Sequence, residues 1–252
     1  VATYWIHPIV LGTKVFDKSM MTYQFNAGQP YTIPIYAWYL EAAQGGSAKP
    51  ILIDTGEMSP IQSGDREKSI GGKIYTFSEG LARYGLAATD IDLVIHTHLH
   101  NDHCENDSSC TNARFIVHEA ESRRIHDPHP LDYRYVEDFI LDVEENGQIQ
   151  SLSEDREILP GIRVVHTPAH TEGGLTVLVD TPKGRAAITG FCVIQENFDP
   201  PKRVKAMEME VIPPGTVVNV YEAYDQMIRV RKMADILIPL HEPRFAAMET
   251  VQ

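Results

Sequence analysis

The stretch from His96 to His103 reads His-Thr-His-Leu-His-Asn-Asp-His, and it limits what this chain of 252 residues can fold into more than any other feature. An apolar run over residues 91–95, interrupted by Asp92, precedes it and reads as a buried strand ending where the histidines begin. Side chains two apart in extended backbone point the same way, so His98 and His100 face one metal ion. A turn directly after them sends Asp102 and His103 to the far side of that ion, where a second metal can sit about 3.5–4 Å away. Buried imidazoles and carboxylates must find partners or lose their charge, which makes the cluster a poor core and a good ligand set. A solvated polar loop that happens to be rich in histidine is the bland alternative.

The segment His98-Leu99-His100-Asn101-Asp102-His103 resembles the HxHxDH motif of the metallo-β-lactamase superfamily of metal-dependent hydrolases, with every ligand position filled. His166-Thr167-Pro168-Ala169-His170-Thr171-Glu172-Gly173-Gly174 resembles the next ligand segment, and the resemblance gives the ligand role to His170 rather than His166. His241, at the end of the apolar run 235–240, resembles the last ligand, although Leu240 stands where glycine is usual. Asp54-Thr55-Gly56 resembles an element whose carboxylate stands behind a metal-binding histidine and fixes its tautomer; Asp54 itself is not expected to ligate. The resemblance thus implies one zinc on His98, His100 and His170 and a second on Asp102, His103 and His241, with manganese or iron as alternatives. It also implies an α/β fold, the αββα four-layer sandwich, as one domain over residues 1–252.

One departure stands out. The family's bridging aspartate belongs several residues before Glu196-Asn197-Phe198, but residues 189–194 read Thr-Gly-Phe-Cys-Val-Ile without a carboxylate. Cys192 is the nearest residue able to bind a metal, as a thiolate, and is carried as a candidate ligand; a small buried hydrophobe is the other reading.

Asp17-Lys18-Ser19 through Ile33-Pro34-Ile35-Tyr36-Ala37 resembles the N-terminal extension of the N-acyl homoserine lactonase branch, which helps wall the active site. The expected reaction is therefore opening of an ester ring by a metal-bound hydroxide, on a small-molecule lactone or ester, with Asp102 passing a proton to the leaving group. Thioester or β-lactam hydrolysis on the same centre is the nearest rival. A di-iron redox or binding protein is the rival from another class, and visible absorbance separates it. Val193 and Ile194 occupy the neighbourhood where the lactonase branch places a substrate-contacting tyrosine.

The formal net charge of −13, with no stripe of Lys and Arg to offset it, argues against a nucleic-acid partner. No apolar run reaches membrane-spanning length. Three cysteines argue against a disulfide framework and for a reducing, cytoplasmic setting, while Val1 leaves room for a preceding segment. A homodimer is compatible with all of this.

Between the motifs, residues 4–15, 20–25 and 33–40 read as strands, Pro34 marking an edge, and Gly45-Gly46-Ser47 as a turn. Residues 58–74 read as a polar surface loop, followed by a helix capped by Thr76 or Ser78 and stopped by Gly85. His118, His126 and His129 lack ligand spacing and read as surface or hydrogen-bonded histidines. Residues 128–149 read as a solvated acidic face, and 217–233 as an amphipathic helix with Val220, Tyr224, Met227, Ile228 and Arg231 in one stripe.

Overall fold

The computed structural model describes residues 2–45 and 49–251. Tyr4–Asp17 (β1), Pro30–Ala42 (β2), Ile51–Ile53 (β3), Leu93–Ile95 (β4), Arg114–His118 (β5) and Ile149–Leu152 (β6) form one sheet in that order. The first three strands pair antiparallel and the last four parallel. Arg156–Leu159 (β7), Ile162–His166 (β8), Leu175–Thr181 (β9), Gly184–Ile188 (β10) and Ile236–Ile238 (β11) form a second sheet, antiparallel except for the β10–β11 pair.

Strands β3 and β4 are apolar at every position because each faces two cores. Ile51, Ile53, Leu93, Ile95 and Ile116 point toward the second sheet and meet Ile162, Val164, Val177, Val179, Ala186 and Ile188 in one buried cluster. The residues between them, Leu52, Val94, Phe115 and Val117, point outward onto Phe77 and Leu81 of α2 (Phe77–Ala82) and Val143. On the far side Val165, Leu178 and Ala187 pack under Ala223, Met227 and Val230 of a long helix, Val220–Arg231. Side chains alternate with period two, so a strand buried on both faces reads as a continuous apolar run. Two sheets with helices outside each give the expected αββα sandwich. Each fully buried Ile, Leu or Val contributes on the order of 1.5–3 kcal/mol.

Several local readings change. Residues 20–25 are not a strand: Asp17 takes the Ser19 and Gly28 N–H groups, at 3.0 and 2.6 Å, closing a loop in which Gln24 and Asn26 are left-handed. The polar stretch 58–74 contains a helix, α1 (Gly64–Ile70), ended by left-handed Gly71. Its sequence hides it because Ile70 is its one buried residue. The predicted helix after it is present as α2, with a Thr76 capping box. The buried face of the long helix is Ala223-Met227-Val230, so Arg231 is not on it. Strands β6 and β7 were not anticipated, because neither is more than half apolar. Gly45 is left-handed, and the rest of the Gly45-Gly46-Ser47 turn lies outside the described residues. No helix among the described residues is long and apolar enough to cross a membrane.

Candidate metal centre

Every candidate ligand lies just past a strand end. His98 and His100 follow β4, His170 follows β8 and His241 follows β11. One helical turn, α3 (Asn101–Cys104), reverses the chain after His100 and turns Asp102 and His103 inward. Asp54, left-handed at the end of β3, clamps this turn. Its carboxylate accepts from Thr97 N and Thr97 Oγ1, each at 2.7 Å, and from His103 Nδ1 at 2.8 Å. That is the tautomer-fixing position expected for it.

Ligand atoms of His98, His100 and His170 lie within 4.8 Å of one another, and so do those of Asp102, His103 and His241. In all five imidazoles, one ring nitrogen has a committed partner. His98 Nδ1 meets Thr97 Oγ1 at 3.0 Å; that hydroxyl's proton already goes to Asp54, so the oxygen accepts. His100 Nε2 meets Asp132 at 3.2 Å, His170 Nδ1 the Thr216 carbonyl at 2.7 Å, and His241 Nδ1 the Pro34 carbonyl at 3.0 Å. Each partner is an acceptor, so the proton sits on that nitrogen and the other carries a bare lone pair. His98 Nε2 is buried without any hydrogen-bond partner, and His100 Nδ1 faces His170 Nε2 at 3.1 Å. Two lone pairs aimed at each other inside a protein are repulsive unless a cation lies between them. The residues therefore fit two metal ions.

The electrostatics agree. Burial holds His98 and His170 well below the usual imidazole range, with neighbouring histidines adding to the effect. Burial also pushes His241 down to about 4. Burial opposes the charged form of His103 as well, but Asp102 and Asp54 outweigh it and shift it upward. Burial would raise Asp102, yet His103 and Lys14 hold its carboxyl well below the usual range.

Cys192 lines the cavity over the ligand groups but stands apart from them. It belongs to neither ligand group and lies in an apolar cluster with Met21, Ile33, Ile35 and Ile194, its Sγ 3.8 Å from Met21 Sδ. Burial pushes the thiol up to about 12, against smaller opposing pulls from Thr216 and Arg134. At Gly190 no side chain fits: a Cβ there would meet the Leu175 carbonyl oxygen at 2.3 Å.

Four residues escaped the sequence reading. Glu121, fully buried, accepts from Leu99 N, Gly173 N and the Tyr135 hydroxyl at 2.9, 2.9 and 3.0 Å. Tyr135 packs edge-on to His100, with ring centres 4.7 Å apart. Asp132 bridges His100 to Arg134 Nε, the latter at 2.7 Å. All but Glu121 lie in the stretch expected to be a solvated face. His96 turns away from the ligands onto Asp107, Nε2 to Oδ2 at 2.8 Å. His118 caps α4 (Glu119–Arg124) and stacks on His166, and His126 pairs with Glu137 and Glu144; neither is at the centre.

A cavity of about 410 Å³ opens onto both ligand groups, walled by Phe16, Met20, Met21, Ile33, Leu131 and Tyr133. The loop at residues 17–29 thus supplies part of the wall, as its resemblance implied.

An αββα sandwich carrying paired imidazole-rich groups at its strand ends defines a metallohydrolase. The sequence profile of the Metallo-beta-lactamase superfamily matches residues 31–227, and the chain belongs to that superfamily. Among curated relatives, an N-acyl homoserine lactonase of a Bacillus species is 28% identical over 205 residues, 75% of this chain and 76% of that protein. One from Bacillus thuringiensis is 25% identical over 209 residues, covering 76% and 77%. Among solved structures, an N-acyl homoserine lactone hydrolase with the product N-hexanoyl-L-homoserine at its catalytic metal centre superposes with a TM-score of 0.73 at 22% identity, covering 96% of this chain and 94% of that one. At that identity the structural likeness speaks for the fold.

Proposed function

We propose that this metal-dependent hydrolase opens lactones of the acyl homoserine type, using one zinc on His98, His100 and His170 and a second on Asp102, His103 and His241. The carrying observation is the convergence of bare ring nitrogens, two of them only 3.1 Å apart, on a single cavity. Bound zinc supplies a Lewis acid that polarises a carbonyl and brings the pKa of water to about 7. The chain supplies orientation. Asp132, Thr97, Asp54 and the Thr216 and Pro34 carbonyls fix the tautomers, so no imidazole has to turn when substrate arrives. The apolar wall from Phe16 to Ile33 excludes water and accepts the acyl portion. Asp102, the one carboxylate of the two groups, stands ready to carry a proton to the departing alkoxide.

The lactone as substrate rests on the names of the relatives and on the N-terminal wall. The test is proton release at near-neutral pH by zinc-replete protein, across acyl homoserine lactones, simple lactones, thioesters and a β-lactam. Preferred turnover of lactones, abolished by chelation, is the expected result. Turnover confined to thioesters or the β-lactam would overturn the substrate; turnover that survives complete metal removal would overturn the metal-dependent reading.

A further inference from the structure

We propose that Arg134 gives this centre a second substrate class beside the neutral acyl homoserine lactones, namely esters or lactones whose carboxylate it anchors; the inference rests on the hydrolase reading above and not on the identity of the lactone. Arg134 lines both the cavity over the ligand groups and an adjoining one of about 320 Å³, and the two also share Leu131 and His170. The other cations along these walls are committed: Lys14 to Glu57 at 3.0 Å, and Arg124 to both oxygens of Glu172 at 3.0 and 2.7 Å. Arg134 uses Nε alone, on Asp132, and among the described residues no hydrogen bond engages Nη1 or Nη2. Those two groups form the open end of a planar fork that matches the two oxygens of a carboxylate.

The fork is held in place. The Arg134 carbonyl accepts from Asn101 N at 2.9 Å, and Asp132 ties the Nε edge to His100. The guanidinium therefore has a fixed relation to the residues that follow the ligand motif. Arg134 itself borders the cavity onto which both ligand groups open. A neutral carbonyl would use one arm of the fork and leave the other idle.

The test compares mono-p-nitrophenyl glutarate with p-nitrophenyl valerate, which differ in one terminal carboxylate, on zinc-replete wild type, Arg134→Gln and Arg134→Lys. Wild type should favour the glutarate ester in kcat/KM. Arg134→Gln should reduce the ratio of the two kcat/KM values by about 10–100-fold, chiefly through KM for the anion, the range expected for a lost charge-assisted pair. Arg134→Lys should restore part of it, because the charge returns without the fork. A ratio that moves less than twofold in Arg134→Gln, or wild-type preference for the valerate, overturns the proposal. If neither ester is hydrolysed, the hydrolase reading is in trouble, and calorimetric binding of glutarate to the same proteins decides the anchor. A roughly tenfold weaker Kd in Arg134→Gln upholds it, and equal affinity overturns it.

Discussion

The Glu121 carboxylate accepts the backbone N–H of Leu99 at 2.9 Å, and Leu99 is the residue between His98 and His100. Its other oxygen holds Gly173, three residues past His170, so one buried carboxylate ties together the loops that carry the three-histidine group. Among the described residues no hydrogen bond links Glu121 to Asp102 or His241.

Glu121→Gln should therefore weaken metal binding at the three-histidine group selectively. Loss of a group that orients ligands costs about 10–100-fold in affinity. Chelator-competition titration should show one of the two metals loosened by that amount, and the visible spectrum of the cobalt-substituted protein should change. Equal loosening of both metals would indicate general destabilisation instead. Gly173→Ala should act in the same direction, since its Cβ would meet Glu121 at 2.7 Å.

His98→Ala removes a buried ring nitrogen that has no hydrogen-bond partner within the protein. One metal per chain should be lost by elemental analysis, and activity should fall by at least the about 10–100-fold expected from losing an outer partner. Retention of both metals would contradict the ligand assignment.

Cys192→Ser should leave metal stoichiometry unchanged, because the thiol lies outside both ligand groups. It should cost about 1–3 kcal/mol in urea denaturation by placing a hydroxyl among apolar side chains. Alkylation of the native thiol should be slow near neutral pH, since burial pushes it up to about 12.

The pH dependence of stability should carry a signature of His96. Burial disfavours its imidazolium, but Asp107 and Asp54 outweigh that and raise it from 6.5 to about 10. A group raised on folding stabilises fully below its unfolded pKa, and the contribution disappears as pH climbs through the folded value. The stability difference between wild type and His96→Gln should thus be full below pH 6.5 and close as pH rises through about 10. Denaturation midpoints across this range measure it; a gap that widens with pH would reverse the sign.

How much of this was legible in the chain depends on range. His98, His100, Asp102 and His103 announce themselves because all are delivered by one strand end and one turn, so their spacing is their geometry. His170 and His241 were assigned through the family resemblance, and each also follows an apolar strand. The two-sheet architecture came from the resemblance, and runs such as Leu93–Ile95 agree with it, since they have no polar face and must be covered on both sides.

Glu121, Asp132, Arg134 and Tyr135 were not legible, since nothing in the neighbourhood of each in sequence separates it from an acidic, solvated stretch. Their roles exist only because the chain between β5 and β6 folds back over His100, joining it through the Asn101–Arg134 hydrogen bond and the His100–Tyr135 bridge. Cys192 was suggested by its place in the sequence before a family landmark; in space it lines the ligand cavity but stands outside both ligand groups, against Met21 and Ile33. Local spacing by itself determined which atoms can bind metal. Tertiary structure decided which groups orient them and which cation faces the substrate, because hydrogen bonds and burial are set by neighbours in space that the order of residues does not name.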